Sequence, residues 1–231
     1  TTLKHDSHTY SRAVPADKFG EVHPEYFALR GGNRNPGRHL CIANAEVQHL
    51  IYQDLLKWID KGFDTVTLAQ QDGFKACGCQ RCKNLYDTGE AWGQKLWLFH
   101  RGLAERLEQD RPEAEVMIIS YTVTEKNLPN RFDSFPENTI IQLCDTTPAS
   151  FAKWKDYNVP GGFTAYIYNW GNYHPNPYSP KRTPGYVARQ IKRFHNNNIQ
   201  GIFLCGYGEA PGLEGPTYYV FGRMLQNPED N

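Results

Sequence analysis

The sequence predicts an α/β fold, a (β/α)8 TIM-type barrel of which part is present, and three observations lead there. Short β-branched and apolar runs alternate with stretches whose apolar residues recur at helical spacing. No Asn-Gly hairpin turn stands between neighbouring strands, so the sheet should be parallel. Several strands run out into carboxylates, amides or aromatic residues, where parallel α/β proteins gather their chemistry. At least five good strands, and up to seven, can be counted against the eight of a closed barrel. About six or seven βα units are therefore expected, with the first one or two missing or supplied by sequence outside this chain. Residues 1–231 read as a single barrel domain, a piece of a longer protein. The alternative is an open doubly wound sheet. It lacks a Gly-rich phosphate loop, since Gly206 and Gly208 have neither the third glycine nor the spacing of that fingerprint.

Taken in order, Leu3 to Val14 reads as a strand entering a loop, carries His5, Asp6, His8 and Tyr10, and is ended by Pro15. His23 to Leu29, followed by Gly31-Gly32, reads as a turn and a short strand closed by a glycine turn. Asn44 stands at a helix N-cap, and Val47, Leu50, Ile51, Leu55, Trp58 and Ile59 follow at helical spacing up to Gly62. The central strand, Phe63 to Gln70, runs out into Gln71 and Asp72 and then a cysteine-dense loop. A second helix from near Trp92 carries Leu96, Phe99, Leu103 and Leu107. Val116 to Tyr121 and Thr139 to Cys144 are continuous apolar runs of the kind buried on both faces of a parallel sheet, and the second ends in Asp145. A short helix, Pro148 to Tyr157, precedes a strand from Phe163 to Tyr168 that opens into Asn169-Trp170-Gly171-Asn172-Tyr173. A helix around Val187, Ile191 and Phe194, a last strand from Gly201 to Cys205, the run Gly206-Tyr207-Gly208-Glu209 and a final helix through Tyr219, Val220 and Leu225 complete the chain.

Bulk properties exclude some functions. Basic and acidic residues balance at 25 each with no run of like charges, so nucleic acid is not an expected partner. No apolar run is long enough to span a bilayer, and Thr1-Thr2-Leu3-Lys4-His5 carries no signal-peptide hydrophobic core. The 14 Tyr, 12 Phe and 5 Trp often sit beside Gly, Pro and Asn, as stacking surfaces for a ligand would.

Four strand ends carry polar or aromatic groups at equivalent positions: Asp72, Asp145, the Asn169-Trp170 pair and Glu209. In a barrel these tips converge on one face. Two carboxylates in an aromatic-walled cleft suit glycosidic bond cleavage, one protonating the leaving oxygen and one serving as base or nucleophile. Glu209 is accordingly expected as general acid/base and Asp72 as its partner, with Asp145 and Glu214 in reserve; Asp72 could equally cap the turn into Gly73. His8, Gln71, Tyr121, Tyr168, Asn169, Trp170 and Tyr207 are the expected substrate contacts, Trp and Tyr by stacking on a pyranose face and Asn by bonding its hydroxyls. A non-catalytic carbohydrate-binding barrel is the competing reading. Trp92 and Trp97 read as helix packing, and His39, His49, His100 and His195 as surface residues.

No cofactor is expected for catalysis. Cys77, Cys79 and Cys82 form C-x-C-x2-C, which could hold a structural zinc with Cys41 as the fourth ligand, or pair with it in disulfides. Sequence does not choose between the two. Cys144 and Cys205, in apolar strands, read as buried free thiols.

His23-Pro24-Glu25-Tyr26-Phe27-Ala28-Leu29, Leu40 to Val47, Gln71-Asp72 with the three-cysteine motif, and Gly212-Leu213-Glu214-Gly215-Pro216 with Tyr218-Tyr219 resemble bacterial proteins carrying the domain of unknown function 4838. That group is similar to barrel-class glycoside hydrolases and overlaps glycoside hydrolase family 163, endo-β-N-acetylglucosaminidases acting on N-glycans. Ala45 departs from the family pattern, which more often has Pro there. The resemblance implies a carbohydrate substrate, N-acetylhexosamine-containing, and a secreted or periplasmic location.

Overall fold

The computed structural model of the protein describes residues 2–169, 180–205 and 211–229. The chain is an α/β fold with six parallel strands in its main sheet, and it divides into two compact units, Thr1–Gln142 with Asp156–Gly161 and Leu143–Lys155 with Gly162–Asn231.

The first unit opens with strand β1 (Leu3–Lys4), helix α1 (Tyr10–Ala13) and helix α2 (Ala16–Phe19). A single 3-10 turn, Pro24–Tyr26, leads into a hairpin of β2 (Leu29–Arg30) and β3 (Asn33–Arg34). Helix α3 (Ala45–Ile59) starts on Asn44, whose side chain accepts from the Glu46 amide at 2.9 Å. Its residues Val47, Ile51, Tyr52 and Leu55 are buried, as their spacing requires. Strand β4 (Thr65–Leu68), helix α4 (Gln80–Asn84) and helix α5 (Trp92–Asp110) follow, then strand β5 (Glu115–Ser120), helix α6 (Val123–Lys126) and strand β6 (Thr139–Leu143). All four residues of β4 and all five of β6 are buried, because both faces of the sheet are covered.

These strands lie in the order β1-β4-β5-β6, with Leu3 paired to Thr65 and Leu68 to Ile118. His5 Nε2 nevertheless meets Gln142 Oε1 at 2.9 Å. On a flat sheet β1 and β6 would stand three spacings of about 4.8 Å apart, roughly 14 Å. The two side chains touch because this part of the sheet curls toward the face they share.

The second unit holds helix α7 (Pro148–Trp154), strand β7 (Phe163–Ile167), helix α8 (Pro184–Asn196), strand β8 (Ile199–Leu204) and helix α9 (Pro211–Gln226). Strands β7 and β8 pair in parallel, Ile167 with Leu204. Two helices begin with the same Thr-Pro device. Thr147 accepts from Ser150 N at 3.3 Å and Thr183 from Tyr186 N at 3.1 Å, with Pro148 and Pro184 at the first helical position, where a missing N–H costs nothing. Among the described residues no helix is long and apolar enough to cross a membrane.

Five expectations need correction. Residues after Lys4 are not a continued strand: Thr9 N donates to Ala69 O at 3.1 Å, tying the segment to the end of β4, and the chain then turns into α1. The strand-helix alternation is interrupted by the β2–β3 hairpin, whose Gly31 and Gly32 both have positive φ, +54° and +81°, as a primed turn demands. Helix α9 already includes the Gly212 to Pro216 stretch. His100 is not a surface residue but fully buried on α5, because its position falls on the same face as Leu96, Phe99 and Leu103. Cys144 and Cys205 are only half-buried, each one residue beyond its strand.

Candidate active site

Parallel pairing places the carboxyl ends of β1, β4 and β5 on one edge of the first unit, and three side chains meet there. The Tyr121 hydroxyl donates to Asp72 Oδ1 at 2.9 Å, and the Gly73 amide donates to the same oxygen at 2.8 Å. His8 lies alongside, its ring 6.0 Å from that of Tyr121 and its Nδ1 3.0 Å from Gln70 O. The Tyr121 hydroxyl, against some desolvation and ahead of the Gly73 amide, His8 and Arg38, holds the Asp72 carboxyl below its usual range. Asp72 is therefore both the cap of its own turn and an ionised, solvent-facing carboxylate.

The turn that presents Tyr121 is braced from behind. Gln70 Nε2 donates to Tyr121 O at 2.7 Å and to Thr124 Oγ1 at 3.1 Å, and the Tyr121 amide donates to Thr124 Oγ1 at 3.0 Å. Trp97, fully buried, donates its indole N–H to Asn127 O at 2.9 Å. Between them Thr122 sits at φ +52°, costly for a β-branched residue and held by these bonds. Gln70 is a positioning residue that the sequence reading did not single out, although the paired amides at the strand end were its signal.

Other expected contacts fall elsewhere. Gln71 is 3% exposed and its Oε1 accepts from Ser11 N at 3.2 Å, so it serves the backbone next to β4. In the second unit, Asp145 Oδ1 accepts from Thr147 N at 3.0 Å at the start of α7. Glu214 is buried on α9, near Lys181 and Tyr218. Tyr168 is exposed, with Lys181 Nζ 5.3 Å from its ring centre, and Asn169 is buried with its Nδ2 donating to Gln190 Oε1 at 2.7 Å. That amide pair satisfies the buried Asn169 side chain. Trp170, Tyr207 and Glu209 lie outside the described residues.

Two further features adjoin the loop after Asp72. An open cleft of about 510 Å³ is lined by Phe74, Glu90, Trp92, Val123, Asn127 and Asn130 among others, with the Phe74 and Trp92 rings 5.5 Å apart. Trp92 thus borders open space at one end of the helix it packs. Cys41, Cys77, Cys79 and Cys82, all buried, bring their sulfurs within 4.8 Å of one another, and none is in a disulfide. Cys77 is drawn below the usual thiol range by the bonds it receives from Cys41 and Cys82, and Cys41 is pushed up to about 11 by its bond to Cys77.

No curated protein matches the sequence. Among solved structures, the chain is similar to an aspartate-to-asparagine mutant of the Thermobaculum terrenum O-GlcNAc hydrolase, with a TM-score of 0.52 and 14% identity. That match covers 84% of this chain and 43% of the other, so the chain spans less than half the length of its structural relative, and at this identity the likeness is one of fold. The family model described as a domain of unknown function, DUF4838, matches residues 1–231, and the chain belongs to that family.

Proposed function

We propose that the chain is part of a glycoside hydrolase acting on an N-acetylhexosamine-containing glycan, built on a TIM-type barrel of which it carries part of the strands. The observation that carries the reading is Asp72, an ionised carboxylate at the tip of β4, bonded by the Tyr121 hydroxyl with His8 beside it. A carboxylate held below its usual pKa is unsuited to donating a proton and suited to stabilising positive charge, either as nucleophile or as polariser of a substrate acetamido group. The proton must then come from a second acid, and Glu209 is our assignment, with Asp145 and Glu214 in reserve. The fold likeness to a protein named as an O-GlcNAc hydrolase supports the substrate class. Catalysis needs no cofactor in this scheme.

The test is turnover of aryl N-acetylglucosaminides and N-glycans by the protein containing this chain. Asp72→Asn and Glu209→Gln should each abolish it while circular dichroism stays native. Full activity in Glu209→Gln would remove that residue from the mechanism. Glycan binding by the unmodified protein with no turnover of any substrate would replace the enzyme reading with that of a carbohydrate-binding domain.

A further inference from the structure

We propose that Cys41, Cys77, Cys79 and Cys82 form a closed tetrathiolate site for one Zn²⁺, a structural centre that pins the β2–β3 hairpin and the Cys41 turn to the loop following Asp72. The geometry fits the ion. A Zn–S bond of about 2.3 Å in a tetrahedron sets neighbouring sulfurs about 3.8 Å apart. Cys41 Sγ is 3.6 Å from both Cys79 Sγ and Cys82 Sγ, and no two of the four sulfurs exceed 4.8 Å. All four ligands are sulfur and all are buried, which leaves no open position for a substrate and marks the site as structural.

The surroundings suit sulfur that carries negative charge. Backbone amides point at it: Leu29 N donates to Cys77 Sγ at 3.2 Å and Cys82 N to Cys79 Sγ at 3.5 Å. Such donors favour a thiolate and do little for a disulfide sulfur, a weak acceptor. Two cations also face the cluster. The Arg34 guanidinium lies beside the Cys41 and Cys79 sulfurs, and the fully buried Lys95 ammonium, held by Thr88 Oγ1 at 2.6 Å and Leu85 O at 3.0 Å, lies near Cys82. Four thiolates around Zn²⁺ carry a net charge of −2, which these cations offset; four neutral thiols or two disulfides would give them nothing to face. Binding releases one proton from each thiol to solvent and requires no oxidant, whereas two disulfides would require an acceptor for four electrons.

The centre joins three segments far apart in sequence. Cys41 follows the bridge between Phe27 and Leu40, Leu29 of the hairpin exchanges bonds with Cys77 and Gly78, and Cys79 caps α4. Cys77 stands five residues beyond Asp72, so the ion fixes the far end of the loop that carries the carboxylate.

The protein purified from zinc-containing medium without chelator should contain one zinc per chain by elemental mass spectrometry. Of its six cysteines, only Cys144 and Cys205 should react with a thiol reagent until a mercurial displaces the metal. Replacement by Co²⁺ should give the sulfur-to-metal charge-transfer and visible bands of a tetrahedral sulfur site. Cys77→Ser should lose most of the zinc, and Cys82→His, which keeps a ligand, should retain the ion with a shifted Co²⁺ spectrum. If Cys77→Ser fails to fold, metal content and thiol protection of the unmodified protein still decide. Folded protein without metal and with all six thiols reactive would overturn the proposal, as would an intact mass lowered by four hydrogens in zinc-free protein.

Discussion

His100 predicts a specific acid sensitivity. Its imidazole is fully buried, its Nε2 is 2.7 Å from the Tyr10 hydroxyl, and desolvation lowers its pKa from 6.5 to about 3. The unfolded chain therefore binds a proton near pH 6.5 that the folded chain refuses until about pH 3, so stability falls with pH across that window. Between pH 7 and pH 5 the loss from this one group is about 2 kcal/mol, taking 1.36 kcal/mol per unit over the roughly 1.5 units below the unfolded pKa. His100→Leu removes the loss but strands the buried Tyr10 hydroxyl, which costs about 1–3 kcal/mol at both pH values. Tyr10→Phe with His100→Leu removes both partners and should recover most of that cost. Urea unfolding followed by tryptophan fluorescence at pH 7 and pH 5, with unchanged m-values, measures the difference. The pair variant should lose about 2 kcal/mol less than the unmodified protein between the two pH values. Equal losses would refute the assignment, since every other titrating group is common to both proteins.

Further outcomes follow from the same geometry. Tyr121→Phe removes the main donor holding the Asp72 carboxyl down, so its pKa should rise toward the ordinary value; carboxyl NMR titration reads this directly, and the acidic limb of any activity profile should move to higher pH. An unmoved titration would remove Tyr121 from that role. On α5, Gly102→Ala meets nothing within 4 Å and should stabilise by about 0.5–1 kcal/mol through helix propensity. Gly93→Ala on the same helix would drive its methyl to 2.6 Å from Val123 O and 2.7 Å from Asn127 Cβ, so it should destabilise by about 1–3 kcal/mol despite the same propensity gain. Thermal unfolding of the two variants distinguishes the signs. Arg12→Met should destabilise strongly, because Asp54, 7% exposed, loses the guanidinium that donates to it from Nε at 2.8 Å; Arg12→Met with Asp54→Leu should restore much of the loss.

Local patterns carried the element order well. The Asn44 cap, the Thr-Pro starts of α7 and α8, the period of Val47 to Leu55 and the apolar runs of β4, β5 and β6 each depend on a few neighbouring residues, and each is legible in one pass. The first turns of the chain were not. Tyr10 to Ala13 has no strong helical signal of its own, and α1 forms because Thr9 is tied to Ala69 sixty residues on.

The site divides along the same line. That Asp72 ends a strand and that four cysteines could gather are statements about spacing, and the sequence alone supports them. That Tyr121 and not Gln71 faces the carboxylate, that Gln70 braces the turn and that His100 is buried as a neutral base depend on which side of a strand or helix meets which neighbour. Those choices are made by contacts across 49 residues or more, whose free energies come from burial and pairing in three dimensions and leave no period to read.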